Sequence, residues 1–259
     1  MVTKEQGRNL QFAFKFRSLS KLVAGLIERR RREQEEHFDY IAMLMSARDK
    51  DSGEPMAERQ LIDEVLTLVV AGHETTASGL NWTWFLLSQH PDAEARLHAE
   101  LAAVPDEPAA GLAHMEQLAY TQQVINETLR LYPPGWLLSR RTVQPDVLSG
   151  FEIPAGANVL LPLYLLHRHP RYWRDPDTFL PERFAPDHDA ERPRFAYMPF
   201  AAGPRHCIGE TFALYEMLMH LHRIARHFRL VRVSDEPIEL EAQINLRTRH
   251  PLHMRLERR

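Results

Sequence analysis

The sequence predicts a mainly helical protein with small β-sheets, an α+β fold, on three observations. The stretch from Met56 to Gln89 holds no proline and is dense in leucine and valine, the mark of one long helix. Apolar residues recur at helical spacing through much of the chain before Pro133 and Pro134. Beyond Arg140 the pattern changes to short β-prone runs separated by turn residues.

Taken in order, Leu19, Leu22, Val23, Leu26 and Ile27 make Ser18 to Glu36 an amphipathic surface helix. Its arginine run Arg29 to Arg32 is bracketed by Glu28, Glu33, Glu35 and Glu36, which favours a solvated face over a polyanion site. His37 to Arg48 suggests a short helix, and Asp49 to Pro55 a loop punctuated by Gly53. The long helix from Met56 is apolar nearly all round, which predicts burial in the middle of the protein. It is interrupted by Gly72 and the polar group His73, Glu74, Thr75 and Thr76, and it closes at His90-Pro91. Helices follow over Asp92 to Val104 and Met115 to Leu131, the second stopped by Pro133-Pro134. Arg140 to Leu165 reads as a small sheet with turns at Ser149-Gly150 and Pro154-Ala155-Gly156. His167 to Pro199 reads as a long packed loop with helical turns, Thr211 to His227 as a helix, and Phe228 to Arg258 as short strands.

The 259 residues suit one large domain or two small ones. With 32 basic and 35 acidic residues the formal charge is −3, so no global field favours nucleic acid or an anionic membrane. Cys207 is the only cysteine, which rules out an intramolecular disulfide and any multi-cysteine zinc or iron–sulfur site, and fits a reducing, cytoplasmic setting. No apolar run reaches the roughly 18 residues of a membrane helix, and Met1 to Leu10 carries charges where a signal peptide would be apolar. Lysine stands only at positions 4, 15, 21 and 50, an arginine bias that hints at a high-GC bacterial origin.

Chemistry concentrates in the run from Phe200 to Gly209, just ahead of the helix beginning near Glu210. A cysteine preceding a helix points its sulfur at backbone N–H donors, which stabilise a thiolate suited to iron. Gly203 and Gly209 allow sharp turns and the close approach of a flat cofactor, and Arg205 offers a cation for a carboxylate on it. For the cysteine alone a buried, inert thiol is the commoner fate. Its neighbours decide otherwise: Phe200, Gly203, Arg205, Cys207 and Gly209 match F-x-x-G-x-R-x-C-x-G, and the run resembles the haem-binding loop of the cytochromes P450.

Three further strings support the resemblance. Glu127 and Arg130 share a helix face three residues apart. The flanking Thr128, Leu129 and Leu131 indicate a buried pair rather than a surface one. The string also resembles the family's E-x-x-R helix, and Pro181-Glu182-Arg183-Phe184 resembles its P-E-R-F segment, whose arginine completes a structural triad; that role falls to Arg183. Ala71-Gly72-His73-Glu74-Thr75-Thr76 resembles the oxygen-activating signature, and a helix weakened at Gly72 would open a widened turn there. A zinc-protease reading of His73-Glu74 fails because Ala77 stands where H-E-x-x-H needs histidine. His167, His169, His220 and His222 suit local hydrogen bonds better than a metal, and Met198 suits packing better than axial ligation.

The resemblance implies haem b held by Cys207, with Ala71 and Gly72 bordering the oxygen pocket, Glu74 and Thr75 delivering protons, and Arg140 paired with a haem propionate. It implies a monooxygenase inserting one atom of O2 into a hydrophobic small molecule. Electrons would come from NAD(P)H through a ferredoxin or flavodoxin/reductase partner, since the chain has no G-x-G-x-x-G fingerprint. Family members are considerably longer, so residues 1–259 read as one partial domain without the amino-terminal part and its W-x-x-x-R helix; Trp82 and Trp84 are no substitute, with Leu86 and Ser88 at the required positions. Two readings follow: a monooxygenase completed by a further half, and a truncated, non-catalytic haem-binding or structural remnant.

Overall fold

A computed structural model describes residues 8–33, 37–105, 117–189 and 192–259. The predicted helix start at Met115, and the acidic pair Glu35 and Glu36 at the predicted end of the first helix, lie outside them. The boundary between two compact units, 1–73 and 74–259, falls inside the long helix.

In the first unit, α1 (Arg8–Arg32) buries the narrow stripe of Val23 and Ile27 against Leu61, Val65 and Leu66 of α3 (Glu58–Gln89). Leu22, expected on that stripe, faces water instead, because it stands one residue, about 100° of helix turn, from Val23. The arginine run behaves as a solvated face: Arg31 pairs with Glu58 at 2.9 Å and Arg30 with Asp39. Asp39 also caps α2 (Tyr40–Ser46) by accepting from Ala42 N at 3.0 Å, and that bond holds its carboxyl below the ordinary range. The loop to α3 turns at Gly53, whose φ of 74° suits glycine.

Two expectations about α3 need correcting. The helix is α-helical without a 3₁₀ or π turn through Gly72 and Thr76, so the widened turn is not present. One glycine costs a helix about 1 kcal/mol, too little to open so long an element. Nor is α3 buried throughout: after the buried Leu61, Val65 and Leu66, the stretch with the half-exposed Val69 and Val70 faces outward, and burial resumes at Thr76.

In the second unit, the buried end of α3 packs with α4 (Pro91–Ala103), α5 (Ala119–Leu131) and, after the strands, α8 (Glu210–Ala225). Leu87, Leu97, Leu101, Ile125, Met217 and Leu221 form the centre of this core, each burial contributing about 1.5–3 kcal/mol. Pro91 opens α4 at a position where its missing N–H is not needed. The start of α5 is capped from a neighbouring helix: Glu100 of α4 accepts from Tyr120 N at 2.6 Å and Thr121 N at 2.8 Å.

Among the described residues the strands form four antiparallel pairs, two of them where a single small sheet was expected. β1 (Leu138–Arg141) pairs with β4 (Asn158–Leu161), and β2 (Asp146–Leu148) with β3 (Phe151–Ile153). Ser149 and Gly150 both adopt positive φ, the left-handed turn that matches hairpin twist. After the single turn α6 (Leu163–Leu166), a 3₁₀ turn at Pro181–Phe184 and α7 (Pro186–Asp189) lie within the predicted packed loop. β5 (Phe228–Arg232) pairs with β8 (Met254–Arg258), and β6 (Leu240–Ala242) with β7 (Leu246–Thr248).

The packed loop is held to α5 by one polar cluster. Glu127 and Arg130 are wholly buried, joined by two bonds of 2.7 and 2.8 Å. The remaining guanidinium protons go to the carbonyls of His167 (2.8 Å), Pro176 (2.6 Å) and Thr178 (3.2 Å). Glu127 Oε1 also accepts from Leu180 N at 2.8 Å and from Arg183 Nε at 3.2 Å, while Arg183 reaches the carbonyls of Arg174 and Asp175. The three side chains thus form one hydrogen-bonded cluster, with Trp173 lying 4.9 Å from the Arg130 guanidinium.

Removing one partner of a buried, hydrogen-bonded pair costs about 3–5 kcal/mol. Glu127→Ala should therefore lower the denaturant midpoint sharply or abolish folding, whereas Arg183→Lys should cost clearly less; equal midpoints for Glu127→Ala and the parent would contradict the geometry. A second expectation concerns His98, buried on α4, where desolvation, aided by Arg259 and Arg229, pushes its pKa down to about 4. The unfolded chain binds that proton near 6.5, so His98 favours the fold above that pH and the contribution is lost as pH falls towards 4. By pH 5 the loss is on the order of 2 kcal/mol, and His98→Leu should shrink the pH 8 to pH 5 difference in urea unfolding by about that amount.

Candidate functional site

The buried face of α8, with Met217, Leu218, Leu221 and Ala225, anchors the helix in the core and leaves its amino-terminal end facing water. There the chain from Phe200 to Gly209 closes on itself: Cys207 N donates to Phe200 O at 2.9 Å, and His206 N to Gly203 O at 2.9 Å. Gly203, at φ 70°, starts the single 3₁₀ turn Gly203–Arg205, a conformation that disfavours any side chain. Gly209 is the N-cap residue of α8, and a Cβ there would lie 3.9 Å from Cys207 Sγ, so its absence leaves room beside the sulfur.

Cys207 is a free, exposed thiol rather than a buried inert one. Its neighbours Ile208 and Phe212 are exposed too, at 83% and 74%, an unusual display of apolar surface around a nucleophile. His206 Nε2 lies 2.5 Å from Glu210 Oε2 across one helical turn. Arg205 is exposed on the loop, and Arg140 is exposed on β1, its guanidinium donating to Ser139 O at 2.9 Å. Arg140 and the loop residue Ala202 line one cavity of about 560 Å³, whose walls include Leu138, Leu161, Phe195 and Met198. An accessible thiol with room beside it, apolar flanks and arginines suited to carboxylates form a donor set that fits haem.

The oxygen-signature residues lie on α3. Ala71, Gly72 and Glu74 are exposed and Thr75 is half-buried, while Glu74 approaches Arg247 Nη1 of β7 at 3.8 Å. Three segments meet one turn further along. Ser78 Oγ and Trp82 Nε1 both donate to Leu246 O, at 2.6 and 3.1 Å, and Leu246 N donates to Pro134 O at 3.0 Å. Trp82 stacks on Tyr132 with ring centroids 4.1 Å apart. Ser78 and Trp82 escaped the sequence reading, because a mid-helix serine and tryptophan carry no spacing that reveals a partner so distant along the chain.

Among the described residues no group of three His, Cys, Asp or Glu side chains is placed to hold a metal ion. His169 accepts from Arg171 N at 3.2 Å. His167 is fully buried, with burial pushing its pKa down to about 4, and its Nε2 lies 3.1 Å from Met198 N, a contact no sequence spacing announced. Met198 therefore serves the loop through its backbone.

Comparison with known proteins agrees with this geometry. The family model described as Cytochrome P450 matches residues 5–255. Cyclooctatin synthase of Streptomyces melanosporofaciens is 41% identical over 216 residues, covering 83% of this chain and 47% of that protein. Putative cytochrome P450 132 of Mycobacterium tuberculosis (strain ATCC 25618 / H37Rv) is 34% identical over 237 residues, covering 92% and 50%. Among solved structures, the retinoic acid-bound cyanobacterial CYP120A1 superposes with a TM-score of 0.86 at 31% identity, over 93% of this chain and 55% of that one. The chain spans about half the length of the curated relatives it matches. No helix among the described residues is long and apolar enough to cross a membrane. With its cysteine loop, its buried triad and a family match across nearly the whole sequence, this chain belongs to the cytochrome P450 family.

Proposed function

We propose that the chain is the cysteine-bearing half of a haem-thiolate monooxygenase, a reading carried by one observation: the only thiol stands exposed on a closed loop at the start of α8. Cys207 would be the iron ligand, with Arg140 and Arg205 neutralising the propionates and Phe200, Gly203 and Gly209 shaping the loop. Haem held in this way supplies dioxygen binding and electron acceptance, and thiolate donation favours O–O cleavage.

The remaining work belongs to side chains of this chain. Thr75 would donate a hydrogen bond towards the oxygen site, and Glu74 would pass protons inward from solvent, an exchange its partly exposed position beside Arg247 allows. Ala71 and Gly72 would border the oxygen pocket, their small size leaving space for it. One oxygen atom enters a C–H bond of the substrate, and the other leaves as water with two electrons and two protons. The electrons would originate in NAD(P)H and arrive through a ferredoxin or flavodoxin/reductase donor, in a bacterial cytoplasm.

Residues 1–259 would form a single partial domain, and the length by which relatives exceed it would complete the substrate pocket. The half-exposed Val69 and Val70 and the 90% exposed Ile244 support this, being apolar surface that a further segment would cover. A hydrophobic small molecule fits the segments joined at Leu246, and the relative named Cyclooctat-9-en-7-ol 5-monooxygenase, 38% identical over 212 residues, supports that class.

Haem-loaded protein, alone or completed with the remaining length of a full-size relative, should give the red-shifted Soret band of a thiolate-ligated ferrous–carbonyl complex. Cys207→Ser should lose that band; parent protein lacking it in both forms would overturn the reading and leave a non-catalytic remnant. In the completed enzyme, Thr75→Ala should divert reducing equivalents to peroxide and lower product per NAD(P)H, the loss expected when a positioned proton donor is removed. Unchanged coupling would remove Thr75 from proton delivery.

A further inference from the structure

The loop carrying Cys207 must be held on its upstream side as well as by α8, and that anchorage runs through His167. Its backbone carbonyl accepts from Arg130 Nη1 at 2.8 Å, inside the triad. Its imidazole Nε2 lies 3.1 Å from Met198 N, two residues before Phe200, whose carbonyl takes the Cys207 N–H. The neighbouring Tyr197 adds a second tether, donating from its hydroxyl to Asn126 O of α5 at 3.1 Å, with its ring 5.4 Å from that of His167.

A backbone N–H can only donate, so Nε2 must carry a lone pair and the ring proton must sit on Nδ1. Nδ1 is buried; burial pushes the ring towards its neutral form, while the main chain of Arg130 and Leu129 beside it pulls the other way. The bond from Met198 N–H is what calls for the lone pair on Nε2.

We propose that His167 is a positioning residue, a neutral strut in the Nδ1–H tautomer that transmits the placement of the Glu127–Arg130–Arg183 cluster to the leg of the loop bearing Cys207. The inference rests on the haem-thiolate reading for its catalytic meaning, but the strut is a property of the polypeptide. Leucine in place of His167 would leave Met198 N–H without its acceptor, while glutamine can present a carbonyl oxygen near the position of Nε2.

The test uses the whole chain in three forms: parent, His167→Gln and His167→Leu. The ¹⁵N shifts of the parent should show the Nδ1–H tautomer at neutral pH; the Nε2–H tautomer overturns the proposal. Exchange of the Met198 amide should be at least about tenfold faster in His167→Leu than in the parent, and close to parental in His167→Gln. Because Cys207 is the only thiol, its alkylation rate reports the loop directly and should change several-fold in His167→Leu, with rescue by glutamine. Parental exchange and alkylation in a folded His167→Leu overturn the strut. If leucine prevents folding, the parent tautomer and the glutamine variant decide, and faster Met198 exchange in His167→Gln overturns it. Failure of the carbonyl band with these results intact would sink the haem reading alone.

Discussion

Placing a guanidinium and a carboxylate in an apolar interior imposes a strict condition on everything around them: each proton and each lone pair must find a partner, or the charges force the region open. Glu127 and Arg130 meet that condition with main-chain groups drawn from a long stretch of chain. The segment between His167 and Arg183 has little regular secondary structure to fix it. Its carbonyls, one amide and the Arg183 side chain satisfy what the pair leaves open, so the charges define the path of the loop as much as the loop shelters the charges.

The cysteine loop inherits its position from this arrangement and from α8. Downstream, Met217 and Leu221 fix the helix in the core; upstream, Met198 and Tyr197 are tied towards α5. Between these supports the chain runs through residues with little side-chain packing of their own, including Gly203, Pro204 and Gly209. An exposed thiol on a short, doubly supported span can meet a rigid planar partner without the loop having to be ordered at that moment, which is the advantage of preorganisation.

Much of this was legible in the sequence because the relevant signals are local. The Glu127–Arg130 pair announced itself through helical spacing and an apolar setting, while Arg183 and the Cys207 loop were legible through short strings that resemble those of the family. The hairpin at Ser149-Gly150 was readable from residues whose backbone preferences are intrinsic. What escaped depended on tertiary neighbours. The exposure of Val69 and Val70 could not follow from a pattern apolar on every side, and Gly72 did not loosen a helix whose other residues all support it. The bonds from Ser78 and Trp82 to one peptide carbonyl, and from Met198 to His167, join positions far apart in sequence with no periodicity to betray them.

The peptide unit of Leu246 has a wider consequence. Its carbonyl serves two side chains of the long helix and its amide serves Pro134, so three chain segments are pinned together through main-chain atoms. Replacing a side chain nearby, such as the outward-facing Ile244, removes none of those bonds. The scaffold can therefore be held constant while its decoration drifts, and descendants of one ancestor can acquire different tastes without first having to rebuild the frame.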